Sequence, residues 1–197
     1  MRSGAKPCIL CVIAVLAAVA PCTAHAATAV VTYTPFAPTG ALATGLTATP
    51  RAGGACATGS FVVSSPTVFR CVVGDSIADP CYLDAAASAA GPPVVVCVPA
   101  PWATGVVRLR LVSPPVAALG LPAGGPPWAL RLASGRRCVR TTGATSVVRG
   151  RRMNYVCDGH RVLFGRPDVS RPTWRIRQAR TAGGAAMRTV SVAAAWR

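Results

Sequence analysis

Val106-Val107-Arg108-Leu109-Arg110-Leu111-Val112 alternates about its arginines, the pattern of a strand with one buried face and Arg turned to water. Shorter β-rich runs precede it. Residues 61–63, 68–73 and 93–98 each predict a strand bounded by turn residues. Residues 113–127 form a Pro/Gly-rich connection, after which the pattern reads as successive hairpins. Residues 128–133 and 136–141 flank Ser134-Gly135, 153–157 and 160–164 flank Asp158-Gly159, and 173–179 and 187–196 flank Gly183-Gly184. Asp-Gly is a strong hairpin signal because both residues tolerate positive φ. Beyond residue 26, helical periodicity is confined to Ala-rich patches such as residues 85–90. The expectation is an all-β domain over residues 56–197, an antiparallel sandwich or barrel-like fold. Residues 27–55 are rich in Ala, Thr, Gly and Pro, with one β-like run at 29–33, and predict a loosely held, flexible arm.

The beginning of the chain follows another grammar. Arg2 and Lys6 precede a 13-residue apolar run from Cys8 to Ala20, and Ala24-His25-Ala26 supplies a small-x-small cleavage pattern. The run is shorter than the roughly 20 residues of a membrane span. Residues 1–26 thus predict an export signal peptide, and no later stretch predicts a transmembrane span. The expected location is secreted or in the extracytoplasmic cell envelope.

Removing Cys8, Cys11 and Cys22 with the leader leaves six cysteines: Cys56, Cys71, Cys81, Cys97, Cys138 and Cys157. In an exported chain an even number reads as disulfides, because the compartment lets them persist. Many pairings are open. The simplest joins sequence neighbours, Cys56–Cys71, Cys81–Cys97 and Cys138–Cys157, and each such loop contributes roughly 3 kcal/mol on the chain-entropy model. Metal binding has little to work with: there is no C-x-x-C pair, and one histidine, His160, remains after the leader. No metal or other cofactor is expected.

Charge sharpens the picture. Residues 27–127 hold four Arg and three Asp, whereas residues 128–197 hold fifteen Arg and two Asp. A GC-rich coding bias accounts for Arg over Lys but not for this asymmetry. In an up-and-down meander, alternate connections lie at the same end of the sheet. If 144–148 is a strand, Arg136, Arg137, Arg149, Arg151, Arg152, Arg166 and Arg171 share one end. If 142–152 is a loop, Arg136 and Arg137 move to the far end and the other five stay together. The neighbour pairing of cysteines favours the loop, since strands separated by a third lie about 9–10 Å apart, beyond the ~7 Å reach of a disulfide.

Arg149, Arg151, Arg152, Arg166 and Arg171 are therefore the candidate ligand-binding residues. Close guanidiniums repel unless they are solvated or matched by anion oxygens, which Arg takes bidentately. An anionic envelope polymer or phospholipid headgroups fit such a face; a merely solvated basic surface is the plain alternative. Nucleic acid is disfavoured, because no RNA-binding signature or zinc-finger spacing is present and the compartment is wrong.

One block suggests catalysis. Val72-Val73-Gly74-Asp75-Ser76-Ile77-Ala78-Asp79 resembles the nucleophile block of the GDSL-type hydrolases, and Asp158 and His160 offer an acid and a base. The family's terminal block is Asp-x-x-His, one residue longer than Asp158-Gly159-His160. Its Gly and Gly-x-Asn-Asp blocks are missing, the only Asn being Asn154, and no segment supplies the helices of its α/β fold. The reading is therefore a protein that is not an enzyme, with Ser76, His160 and Asp158 as the alternative, catalytic set. A secreted protein-interaction or inhibitor module is a third reading.

Cys56-x-Thr58-Gly59-Ser60, Phe69-Arg70-Cys71-x-x-Gly74-x-x-Ile77-x-Asp79-Pro80-Cys81-Tyr82, Val95-Val96-Cys97, Pro126-Pro127-Trp128-Ala129 and Asn154-Tyr155-x-Cys157 resemble a group of exported actinobacterial proteins of uncharacterised function. The resemblance covers most of residues 55–197. It implies secretion and a disulfide-bonded β domain, and no particular substrate. In that group the block around Gly74 to Pro80 recurs without requiring serine at position 76, which further weakens the hydrolase reading.

Overall fold

The computed structural model describes residues 26–116, 125–143, 145–148, 150–184 and 186–197. The expected export signal lies, but for Ala26, outside the described residues. Among the described residues there are thirteen strands, one short α-helix and a 3-10 turn at Asp158–His160: β1 (Ala29–Val31), β2 (Thr47–Gly59), β3 (Val68–Val73), β4 (Ser76–Leu83), α1 (Ala85–Ser88), β5 (Val94–Cys97), β6 (Gly105–Leu111), β7 (Ala129–Leu132), β8 (Arg137–Arg140), β9 (Val147–Val148), β10 (Arg151–Cys157), β11 (Arg161–Asp168), β12 (Arg175–Ala179) and β13 (Arg188–Trp196).

They make two closed sheets. β2 to β6 form a five-stranded barrel, a meander shut by parallel pairing of β2 with β6. In the other sheet β7, β8, β10, β11, β12 and β13 follow one another antiparallel, and β13 pairs back onto β7. β1 takes over from β12 along the second half of β13, and β9 folds onto the start of β10. The expected all-β, barrel-like architecture is what the chain adopts. No strand from 142–152 stands between β8 and β10, which are direct neighbours with Cys138 opposite Cys157, as the loop reading has it; that segment is nevertheless not a plain loop, since Val147–Val148 pair with Arg151 and Arg152.

The disulfides are Cys56–Cys71, Cys81–Cys97 and Cys138–Cys157. Such cross-links are consistent with an oxidising extracellular environment. The first barrel is filled by Phe69, Val95, Leu109 and Leu111 around two of them, with the sulfurs of Cys71, Cys81 and Cys97 within 4.8 Å of one another. The second barrel encloses Leu130, Leu132, Tyr155, Leu163, Trp174 and Ile176 beside the third. Val68, Tyr82, Val96 and Val106 on the outside of the first barrel pack with Trp128 and Ala129 of the second, and this cluster joins the two.

Two expectations need correction. Residues 27–55 are not an arm but part of both sheets. Thr28 is buried, donating its hydroxyl to the Val192 carbonyl (2.7 Å) and accepting from the Trp174 N–H (2.8 Å). Tyr33 packs edge-on against Tyr82 and Trp128, with ring centres 5.9 and 5.5 Å away. Residues 47–54 then close the first barrel against β6. That strand bends where its register shifts, between Ala52 and Gly54. Gly53 has φ +85°, and a Cβ on Gly54 would stand 2.3 Å from the buried Leu109 side chain, so the backbone passes the core bare.

The second correction concerns residues 61–63, which are a bend, not a strand. The Ser60 hydroxyl oxygen accepts from the N–H groups of Val62 (3.1 Å) and Val63 (2.9 Å), curling the chain so that both valines enter the inter-barrel cluster.

Candidate functional site

β12 alternates exposed Arg175, buried Ile176 and exposed Arg177, so both arginines stand on the outer face of the second barrel. Its partner β11 carries extra residues between Phe164, opposite Arg177, and Asp168, opposite Arg175. Gly165, at φ +75°, turns within this bulge, and its carbonyl accepts from Asn154 Nδ2 (2.9 Å). The result is a cleft of about 300 Å³ at one end of the barrel. Arg151, Arg166, Arg171, Arg175 and Arg177 line it, with Asp168 as the one carboxylate.

Asp168 offsets one of their five charges. Its Oδ1 accepts from Ser170 N–H (3.0 Å) and Ser170 Oγ–H (2.7 Å), which fixes the turn. Those bonds, aided by Arg171 and Arg175, hold its carboxyl below the ordinary value. It stays an anion devoted to the turn, and the guanidiniums keep unsatisfied donors for an incoming anion.

The structure thus brings together three of the five arginines read from the sequence: Arg151, Arg166 and Arg171. Arg152 does not line the cleft, and its Nε donates to Thr145 Oγ1 (2.7 Å). Neighbouring strand residues face opposite ways, so Arg151 and Arg152 diverge. Arg149 lies outside the described residues. Arg175 and Arg177 were missed, although their alternation with Trp174 and Ile176 was visible in the sequence.

Charge also gathers at the opposite end, as the loop reading requires. Arg136, Arg180 and Arg188 all act on Arg161 there, and Arg188 donates to Gln178 Oε1 (3.0 and 3.2 Å).

Ser76 occupies the tip of one hairpin, and Asp158 and His160 the tip of another. Ser76 begins β4 opposite Val73 in the first barrel, and the cavity it lines is bounded by Arg51, Ala52, Val73, Gly74, Ala78 and Val107. Asp158 and His160 form the turn between β10 and β11 of the second barrel, with Gly159 at φ 68° and His160 at φ 57°. Asp158 Oδ2 accepts from the Arg137 N–H (3.3 Å). Ser76 and His160 therefore belong to turns of different barrels.

A second polar centre lies where the barrels meet. The Asp79 side chain is fully buried; it accepts from Ser60 Oγ–H and from the Phe61 N–H (3.0 Å). Burial pushes its carboxyl above the ordinary value, outweighing those bonds and the pull of Arg70 and Arg140. This has a consequence for acid stability. A group whose pKa is higher folded than unfolded binds its proton more tightly in the folded state, so its contribution grows as pH falls through the folded value and is lost as pH rises. Asp168 has the opposite sign, its contribution being lost as pH falls from the ordinary carboxylate value toward its lower folded one. With five Asp and no Glu, few other carboxylates can drive acid unfolding. Circular dichroism melts are expected to give a Tm at pH 4.5 equal to or above that at pH 7; a clear fall would contradict the Asp79 assignment.

No protein-family model matches the chain, and no curated protein or solved structure matches it either. The functional reading therefore rests on the geometry of the cleft and the cross-linked barrels.

Proposed function

We propose that this chain is a secreted or cell-envelope β protein whose second barrel binds anionic groups in the arginine cleft, without catalysing a reaction. The ligand chemistry is that of phosphate or carboxylate oxygens carried by an envelope polymer or by phospholipid headgroups. The observation that carries the reading is the convergence of five arginines from four segments on one cleft whose single carboxylate is engaged by Ser170. Guanidiniums held on paired strands lose little freedom when they close on an oxyanion, and bidentate pairing gives them geometry as well as charge.

The test measures binding of the oxidised protein to immobilised polyphosphate and to phosphatidylglycerol vesicles over a range of NaCl. Arg166→Ala combined with Arg171→Ala is expected to weaken binding by roughly tenfold or more. Arg51→Ala with Arg110→Ala removes the same charge from exposed positions on the first barrel and is expected to change it little. Capture by vesicles alone assigns headgroups, and capture by polyphosphate assigns a polymer. Equal losses in the two variants would reduce the interaction to diffuse net charge and overturn the reading.

A further inference from the structure

A separate cavity of about 430 Å³ runs between the barrels, within the size range of small-molecule sites. Ile77 of β4, Val98 after β5 and Val107 of β6 form one wall, and Val139 of β8 faces them. At its lip Val72 and Ile77 are register partners, and both are about half exposed, so an apolar edge stands open to solvent beside the cavity.

The polar end of the cavity is lopsided. Arg140 is partly buried, and its Nη1 donates to the Phe61 carbonyl (2.8 Å). Its remaining guanidinium N–H groups have no protein acceptor among the described residues. Asp79 also lines the cavity, but its oxygens are taken by Ser60 and Phe61. Burial pulls the Arg140 guanidinium below its ordinary value; Tyr155 and Asp79 counter that pull, and Arg166 and Arg152 add to it.

We infer that this groove binds a single-chain anionic amphiphile, its tail along the Ile77, Val107 and Val139 walls and its carboxylate or phosphate on Arg140. Charge complementarity selects the head, and an apolar trough with an exposed lip selects the tail. Neither half alone suffices: inorganic phosphate leaves the walls uncovered, and a neutral alcohol is a weaker acceptor for the spare Arg140 donors.

Calorimetric titration of the oxidised protein with the fatty acids from hexanoate to decanoate, below their micelle-forming concentrations, tests this. Affinity is expected to rise about threefold to fourfold per methylene until the groove is filled. Decyl phosphate is expected to bind as well, and decanol and inorganic phosphate much more weakly. Ile77→Glu places a negative charge at the lip on a half-exposed position, so it is expected to cost tenfold or more in decanoate affinity with an unchanged Tm. Arg166→Ala with Arg171→Ala, which removes two of the five cleft arginines, is expected to leave decanoate affinity within a factor of about three. That separates failure of the groove from failure of the cleft. The inference is overturned by absence of saturable binding, by affinity independent of chain length, or by an Ile77→Glu variant that binds decanoate as well as the parent.

Discussion

Cys81→Ala with Cys97→Ala is expected to be among the most destabilising changes in the molecule, lowering Tm by about 10 °C or more. The two cysteines are direct register partners on β4 and β5, and their bond closes a 16-residue separation. A loop of that size is worth roughly 3 kcal/mol of unfolded-state entropy. The substitution also empties the middle of the first barrel, where both sulfurs are buried against Val95 and Leu109. The neighbouring core cannot collapse cheaply, because Cys56–Cys71 pins β2 to β3 beside it. A loss of about 3–4 kcal/mol from a domain of this size corresponds to a fall of roughly that Tm. The same exchange at Cys138 and Cys157 is expected to cost less, since Tyr155, Trp174, Leu130, Leu132, Leu163, Ile176 and Val192 still fill the second barrel. Thermal melts of the two double variants, with thiol titration to confirm the remaining bonds, measure the difference. A first-barrel variant that melts with the parent would show that sulfur is not what holds β4 to β5.

Strands with one buried face were legible because alternation reports burial directly. β6, with Leu109 and Leu111 inward and Arg108 and Arg110 outward, is the clearest case. The hairpins of the second barrel were legible through their turn residues, and sequence-neighbour cysteines pair because each pair lies on strands that hydrogen-bond to one another. β1 and β2 were not. Most of β2 is exposed, so its Ala, Thr, Gly and Pro residues carry no alternation, and backbone bonds to β6 and β3 hold it in place. That closure is long-range, and alternation alone is the same in a sandwich and in a barrel.

The site was half legible for a related reason. Counting connections placed Arg166 and Arg171 correctly, because a meander forces alternate connections to one end. It overlooked Arg175 and Arg177, which reach the cleft from the face of a strand. It also put Arg151 and Arg152 together, although successive strand residues point apart. Arg140 escaped notice because its importance comes from the other barrel: its partner is the Phe61 carbonyl, 79 positions away in sequence.

Asp79→Ala is expected to destabilise the protein by about 3 kcal/mol or more, with damage spread across the junction of the barrels. The Phe61 peptide is held from both sides, its N–H by Asp79 (3.0 Å) and its carbonyl by Arg140 (2.8 Å). Its ring lies 4.8 Å from the Arg70 guanidinium, and Arg70 Nη1 in turn donates to the Thr142 carbonyl (2.6 Å). Each barrel thus sends one arginine to a backbone carbonyl of the other, and Asp79 is the anion between them. Removing the carboxylate frees Ser60, which orders Val62 and Val63, and leaves two partly buried cations without their counter-charge. Asp79→Asn keeps the shape and one acceptor, so a smaller loss is expected, together with a flatter dependence of Tm on pH between 4 and 7. Urea unfolding of parent, Asn and Ala variants at two pH values separates the contributions. If the Ala variant unfolds at the parent's midpoint, the junction is held by the apolar cluster around Trp128 and Tyr82 alone, and the paired arginines are incidental to it.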